Sequence, residues 1–319
     1  MQAKHPLSPK DTMPEQAAHP AGITLRHVVR TGKILAVLTA SVLLLCGCSH
    51  AAADSNTAET LPPMTEPPEP VLMYYVTDHQ TAETDTVTQF RTALEEKGYT
   101  FRADALSALP MDADAVILNT PREDLTREEQ AQLESYMQTG GHLLLLMPAD
   151  ENAERYKYLE RFLEHYGIMM DYDIVSETDK SMMLGGNAYF PQIKQIHAPL
   201  GMTIVPETAE RPLYMENART FHFSSPENSN DLRQDAMLET ARTAVCEPCG
   251  GGFDDPETLT GEQFMTMLYS RDTTQNDAFV ICVGASGFLL DANYGAETST
   301  SAQDYVYAAL DWAAHPTGF

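Results

Sequence analysis

The feature that most constrains the fold of this chain is an alternation of short apolar runs with amphipathic segments. The runs "VLMYYV" (71–76), "ADAVILN" (113–119) and "HLLLLM" (142–147) have apolar centres, which is typical of strands buried on both faces. Between them, apolar residues recur at the spacing of a helix with one buried face. The pattern predicts an α/β fold with a mostly parallel sheet that is covered on both sides, in three layers.

Residues 120–149 contain one complete unit of helix, glycine stop and buried strand. Thr126 is a favourable N-cap, and Glu129 three residues later completes a capping box. We expect Gly140 and Gly141 to end the helix with the positive φ that glycine adopts at low cost. The stretch is therefore interpreted as scaffold, with function in loops at one edge of the sheet. Its predicted buried stripe comprises Leu125, Gln130, Leu133 and Met137.

The same α/β domain is expected to span residues 71–315. Within it, residues 176–277 are poorer in periodic signals and richer in Pro, Asn and Thr, which indicates a strand-rich, less regular excursion with long loops. The remaining predicted elements are helices over 84–97, 153–165 and 301–314 and strands over 99–103, 168–175 and part of 277–289.

The amino-terminal residues 1–47 have the order of a secretory signal peptide. Basic residues precede the apolar run "ILAVLTASVLLLCGCS", which ends at small residues. Its last four residues, Leu45 to Cys48, resemble the bacterial lipobox, in which the cysteine thiol carries the lipid (palmitate-type acyl) anchor. An uncleaved signal anchor and a buried core helix are the alternatives, but the run is short for a spanning helix, which needs about 20 apolar residues. The first two interpretations place the domain at the extracytoplasmic face of the cell membrane.

Residues 48–70 are rich in Ala, Thr, Pro and acidic side chains and have no apolar periodicity, so we expect a disordered tether. The whole chain has 20 Lys and Arg against 46 Asp and Glu, a formal net charge of -26. Such a chain repels phosphate backbones, so we do not expect nucleic acid to be a partner.

Four blocks in order resemble the GldG-like auxiliary components of gliding-motility type ABC transport systems. They are "DAVILNTPREDLTREEQAQLESYMQTGGHLLLLMPA", "LERFLEHYGIMMDYDIV", "FPQIKQIHAPLGMTI" and "FVICVGASGFL", the last followed by a helix ending "LDWAA". The resemblance implies a three-layer α/β domain akin to class I glutamine amidotransferases (flavodoxin-like), held at a membrane beside a transporter, with no established catalysis. Family members commonly have a membrane helix after the domain, whereas this sequence stops at Phe319, soon after its last predicted helix.

Catalytic chemistry has little support in the sequence. An amidotransferase needs a Cys nucleophile on a tight strand-to-helix turn, but "HLLLLM" runs into Pro148 and Ala149 instead. Ser286 in "VGASGF" only partly matches a G-x-S-x-G elbow, and a plain turn at the strand end is favoured. The sequence implies neither a metal nor any other cofactor: it has no second C-x-x-C, no H-x-x-x-H, and no spaced calcium loop in its acidic runs.

The one C-x-x-C pair, Cys246 and Cys249, can close a small disulfide loop outside the cytoplasm. Free thiols and a redox or metal role are the alternatives. We interpret Cys282 as a buried core thiol, and His142 and His197 as structural histidines.

The segment "LGGNAYFPQIKQIHAP" mixes glycine, aromatic residues and proline, a composition typical of a recognition surface. Tyr189, Phe190 and Ile193 are the expected partner surface, with ABC permease subunits as the expected partner. The sequence thus predicts a non-catalytic, lipid-anchored accessory component of an ABC transport system. The alternative is an extracytoplasmic enzyme of amidotransferase-like fold with an unrecognised site.

Overall fold

The computed structural model of the chain describes residues 71–79, 84–204, 211–227, 229–251, 257–287 and 296–315. All of them lie in Thr65–Phe319, one of the two compact units into which the chain divides. The predicted signal peptide, Cys48 and the predicted tether lie outside the described residues. The helices are α1 (Thr84–Glu96), α2 (Arg127–Gln138), α3 (Lys157–His165) and α4 (Ala296–Ala314).

The strands are β1 (Leu72–Val76), β2 (Thr100–Asp104), β3 (Ala115–Asn119), β4 (His142–Leu146), β5 (Ile168–Met170), β6 (Asp173–Glu177), β7 (Ile193–Ile196), β8 (Phe221–Phe223), β9 (Leu232–Thr240), β10 (Ala244–Pro248), β11 (Leu259–Thr260), β12 (Met265–Asp272) and β13 (Ala278–Val283).

Ten of these strands form one sheet, whose main path runs β2-β1-β3-β4-β13-β12-β8-β5. The pairs from β2 to β13 are all parallel. From β13 onward the pairs are antiparallel, including those of β9 with β12 and with β7. The expected mixed α/β fold with a mostly parallel central sheet is thus confirmed. A separate three-stranded sheet has the order β11-β10-β6.

Helices cover both faces of the parallel strands, as the continuous apolar runs predict. Successive strand residues alternate between two buried clusters, so that Tyr75 of β1 packs in one and Tyr74 in the other. The first cluster holds Phe90 of α1 and the apolar face of α4, and the second holds Phe162 of α3 and the face of α2. The core therefore has two halves separated by the sheet, which is the three-layer arrangement.

The capping box of α2 is present as the sequence predicts. Glu129 N donates to Thr126 Oγ1 at 3.2 Å, and Thr126 N donates to Glu129 Oε2 at 2.7 Å. The expected stripe of Leu125, Gln130, Leu133 and Met137 is buried. The helix stop differs from the expectation, because Gly140 has a φ of +94° whereas Gly141 is outside the positive-φ region.

Two predicted elements are wrong in their bounds. The helix expected over 153–165 begins only at Lys157, because residues 150–153 form a turn in which Ala153 N donates to Asp150 O, and residues 154–156 are irregular. The single strand expected over 168–175 is two strands, β5 and β6, which belong to different sheets. Between them, Asp171 N donates to Thr220 O at 3.0 Å. Residues 176–277 contain β7 to β12 as well as the end of β6.

Candidate functional site

A cleft of about 440 Å³ opens at the edge of the sheet where β3, β4 and β13 end. The carboxyl ends of parallel strands are the usual position of ligand sites in open α/β sheets. The loop after each of the three strands contributes to the wall, and the segment just before β8 closes it. The lining residues that carry polar groups include Thr120, Arg122, Asp150, Asn152, Glu216 and Ser286.

Two residues of the cleft have a positive φ, a backbone conformation that residues with a Cβ rarely adopt. Thr120 directly follows β3 and has a φ of +50°, and Asn217 has a φ of +46°. Positive φ is uncommon for any residue with a Cβ and is an outlier for β-branched threonine. Hydrogen bonds hold both in place, since Thr120 N donates to Leu146 O at 2.7 Å and Ala149 N donates to Asn217 O at 2.9 Å. Such strain concentrates at functional sites, which favours this cleft as the site.

A chain of polar side chains runs from the core to the cleft. Asn119 Nδ2 donates to the Tyr75 hydroxyl at 3.0 Å, and Thr120 Oγ1 donates to Asn119 Oδ1 at 2.8 Å. Thr120 Oγ1 also lies 3.0 Å from Ser286 Oγ. Because a hydroxyl carries one proton, Ser286 donates to Thr120 when Thr120 donates to Asn119. The Ser286 proton is then directed to a hydroxyl, which is no general base.

The connection after β13 depends on two glycines. A Cβ on Gly284 would lie 2.0 Å from the carbonyl oxygen of Arg219, and a Cβ on Gly287 would lie 2.3 Å from Glu216 Oε2. The absence of side chains at both positions lets the segment 216–219 approach the end of the strand. It thereby brings Glu216 into the cleft, where burial raises the pKa of its carboxyl group.

Arg219 is fully buried near the cleft wall formed by Tyr156. Its backbone N donates to Gly284 O at 2.8 Å, and its guanidinium lies 5.1 Å from the centre of the Tyr172 ring. Within the described part of the chain, none of its three side-chain nitrogens has a hydrogen-bond partner. Burial lowers the pKa of this guanidinium. Burying a guanidinium without hydrogen bonds is costly, and the face of the Tyr172 ring and the charge of Asp173 offset part of that cost.

The three residues of the predicted partner surface differ in their exposure. Tyr189 is exposed, at 41% of its maximum, and its carbonyl oxygen accepts from Asn217 N at 2.9 Å, so it lies beside the cleft. Phe190 is half-buried against the core. Ile193 is buried at 3% exposure as the first residue of β7, paired with Thr240. The expectation that Ile193 lies on the partner surface is wrong, because its side chain packs inward from the strand.

The structure does not contain the predicted disulfide, since Cys246 and Cys249 are free thiols. Cys246 belongs to β10, and Cys249 N continues the same ladder by donating to Tyr172 O. Three residues along an extended strand span about 10 Å, beyond the Cα separation that a disulfide bridges. The extended backbone therefore keeps the two thiols apart.

The other singled-out residues have structural roles. Cys282 is fully buried in β13. His142 is buried and its Nδ1 accepts from Phe279 N at 3.3 Å, while burial holds its pKa at about 4. His197 is bound to Glu239 at 3.0 Å.

A histidine and a glutamate that the sequence did not connect meet at the same edge of the sheet. His79 follows β1, and its Nε2 lies 2.9 Å from Oε1 of Glu129, the residue that completes the capping box of α2. The residues are 50 positions apart. The signal that could have joined them is topological: polar residues directly after a buried strand meet the start of the helix that follows the neighbouring strand.

Residues 71–200 match the family described as an ABC-type uncharacterized transport system. The resemblance predicted from the sequence is confirmed over that range. No curated protein sequence matches the chain.

Among solved structures, the chain is similar to one described as the mmIFT52 N-terminal domain, with a TM-score of 0.50 and 14% identity over 78% of this chain and 98% of that one. It is also similar to a ThuA-like protein from Bacteroides uniformis ATCC 8492, with a TM-score of 0.42 and 16% identity over 79% of this chain and 95% of that one. At 14% identity the first likeness concerns the fold alone.

Within the described part of the chain, no helix combines the length and apolar character needed to cross a bilayer.

Proposed function

We propose that the protein is a non-catalytic accessory component of an ABC transport system, anchored by a lipid on Cys48 at the extracytoplasmic face of the membrane. The match of residues 71–200 to the transport-system family carries this proposal. According to this proposal, the permease binds to the cleft at the carboxyl edge of the parallel strands and to the exposed Tyr189 beside that cleft.

The chemistry of the cleft supports binding over catalysis. Its described lining contains neither a histidine nor a cysteine, and Ser286 Oγ lies 3.0 Å from the Thr120 hydroxyl, which is no general base. A hydrolase would need a base within about 3 Å of its nucleophile. The strand β4 also leads into Pro148 and a turn that ends before Lys157, which differs from a tight elbow entering a helix directly. The alternative of an amidotransferase-like enzyme therefore has no Cys–His pair in the described lining of this cleft.

The cleft carries side chains of both charges, which suits the binding of a protein surface better than the binding of a small anion. Arg122 is exposed, whereas Asp150 and Glu216 are half-buried carboxylates in the same cleft. Tyrosine beside such a rim supplies the large amphipathic contact that interface centres favour.

The anchor is tested by labelling cells with a fatty-acid analogue. Wild type should be labelled and processed, and Cys48→Ala should remain an unlabelled precursor. Cys46→Ala is the matched control, because it changes the neighbouring thiol and leaves Cys48 in place. Equal labelling of Cys48→Ala and wild type would refute the anchor and leave the binding proposal standing.

Partner binding is tested by co-purifying permease subunits from detergent-solubilised membranes. Tyr189→Ala should reduce recovery about tenfold, since a central interface tyrosine is worth roughly 1–2 kcal/mol. Met169→Ala and Met111→Ala are matched controls, because these side chains are 46% and 47% exposed on other parts of the domain. If both controls lose the partner as strongly as Tyr189→Ala, or if Tyr189→Ala binds normally, the assignment of this surface is wrong.

A further inference from the structure

Asp78, His79 and Glu129 form a compact group of potential metal ligands at the carboxyl edge of the sheet. One ligand atom from each lies within 4.8 Å of those of the other two, and no other such group occurs among the described residues. Asp78 and His79 follow β1, and Glu129 lies in the first turn of α2. The group therefore joins two elements that the sheet holds in fixed positions.

The His79 and Glu129 side chains already have nearly the spacing of two ligands on one ion. Nε2 and Oε1 are 2.9 Å apart. Ligand atoms bound at about 2.0–2.2 Å to a metal lie roughly 3 Å from each other at angles between octahedral and tetrahedral. The separation of these two atoms thus already suits two ligands of one ion, and the imidazole must turn and Asp78, whose oxygen lies within 4.8 Å, must move closer to complete the site.

The capping box orients Glu129 for this role. Its Oε2 accepts from Thr126 N at 2.7 Å, which leaves Oε1 directed at His79. A hydrogen bond to the second oxygen is the kind of outer contact that fixes a carboxylate ligand. Asp78 is held in a comparable way, because both of its oxygens accept from Leu106 N, at 3.0 and 3.2 Å. Each carboxylate oxygen has a further lone pair for a metal ion.

His79 is buried beside the two carboxylates. Its side chain is only 9% exposed, its Nε2 faces Glu129, and its ring interacts with the backbone of Glu123. Burying an imidazole is costly, and a helix cap that needs only Glu129 gives no reason for a histidine here. Binding a metal ion through Nε2 gives the ring a role that the cap alone lacks.

We propose that Asp78, His79 and Glu129 bind a divalent transition-metal ion, with Zn²⁺ as the preferred ion. One imidazole and two carboxylates are typical Zn²⁺ ligands, whereas Mg²⁺ and Ca²⁺ prefer oxygen alone. Three protein ligands leave a fourth position for water or for a group on a partner. The site lies next to the cleft, because Arg122, which lines the cleft, donates its backbone N to His79 O at 2.8 Å.

Two other histidine–carboxylate pairs provide internal controls. His197 lies 3.0 Å from Glu239, and His222 lies 2.9 Å from Asp171. Both histidine side chains are far more exposed than His79, at 43% and 45%. Neither pair has a third ligand within reach among the residues that the structure describes.

The test is calorimetric titration of the purified full chain with Zn²⁺, together with competition against a zinc-binding dye. His79→Asn and Asp78→Asn should each weaken the tightest Zn²⁺ site at least about tenfold, because even outer-shell changes cost 10–100-fold. Glu129→Gln should do the same while keeping the capping box, since glutamine also serves at that position. His197→Asn and Glu239→Gln should leave the site unchanged.

The decisive comparison is between Glu129→Gln and Glu239→Gln, which make the same chemical change in two histidine pairs. Metal-free melting temperatures of both variants should equal that of wild type, so that any loss of Zn²⁺ binding reports the ligand and not the fold. The proposal is overturned if wild type binds no Zn²⁺, if His79→Asn binds it as tightly as wild type, or if Cys249→Ser abolishes binding in its place.

Discussion

Replacing Gly141 by alanine is expected to destabilise the domain through a steric clash with one buried ring. A Cβ at this position would lie 2.3, 2.4 and 2.6 Å from three carbon atoms of Tyr136. The ring cannot move away freely, because Tyr136 is fully buried and its hydroxyl accepts from His142 N at 3.0 Å and lies 3.3 Å from His142 O. Helix α2, which carries Tyr136, and the start of β4 would therefore have to move apart.

Overpacking of a well-packed core costs about 1–3 kcal/mol, and a lost hydrogen bond adds about 1 kcal/mol. We therefore expect Gly141→Ala to lower the free energy of unfolding by about 2–4 kcal/mol. Urea denaturation followed by circular dichroism measures this value, provided that the m-value is unchanged. Gly185→Ala is the control, since its φ is +60° but nothing lies within 4 Å of its Cβ. That variant should show only the backbone cost of about 1–2 kcal/mol.

A double-mutant cycle separates the ring from the backbone. In a Tyr136→Leu background the atoms that meet the new Cβ are absent, so Gly141→Ala should cost at least about 1 kcal/mol less than in wild type. An equal cost in both backgrounds would refute the steric explanation, and a cost in wild type below that of Gly185→Ala would do so as well.

Three further predictions concern stability and domain bounds. Thr126→Ala should lower the free energy of unfolding by about 0.5–2 kcal/mol by removing the cap of α2, with Thr139→Ala as a comparison at the other end. Stability should fall as the pH drops from about 6.5 toward 4, because the buried His142 has a pKa of about 4 and the unfolded chain takes up the proton first. The full effect is about 3 kcal/mol, and His142→Asn, which keeps an acceptor for Phe279 N, should remove that part of the pH dependence in urea titrations. Limited proteolysis should cut first between residues 50 and 70 and leave a stable fragment beginning near Val71; faster cutting within 71–175 would contradict the predicted tether.

The sequence predicted those parts of the fold whose signals are local. The apolar runs of β1, β3, β4 and β13 are continuous because helices cover both faces of the sheet, and the capping box of α2 lies within four residues. The start of α3 was mispredicted because its cap comes from far away. The Asp124 carboxylate accepts from Tyr158 N at 2.9 Å and from Leu159 N at 3.1 Å. No local pattern reports such a contact.

The break between β5 and β6 was missed for a related reason. Apolar residues stand on both sides of the break, with Ile168 to Met170 before it and Ile174 and Val175 after it, so one strand and two strands leave the same pattern. What separates them is the choice of partner, because β5 pairs with β8 and β6 pairs with β10. The cleft could not be predicted from the sequence either, because it depends on which strand ends meet and on the positive φ of Thr120 and Asn217.

The position of β13 has a consequence for how this chain can fold as it is made. The strand lies between β4 and β12, and Phe279 pairs with His142, which lies 137 residues earlier. Until residues 278–283 have emerged, β4 presents an unpaired edge that is apolar from Leu143 to Leu146, and Ser286 is absent from the cleft. Open apolar edges are the usual starting point for misassociation of chains. A nascent chain of this protein thus needs protection while residues 147–283 are made, and the same late strand that closes the sheet also completes the cleft.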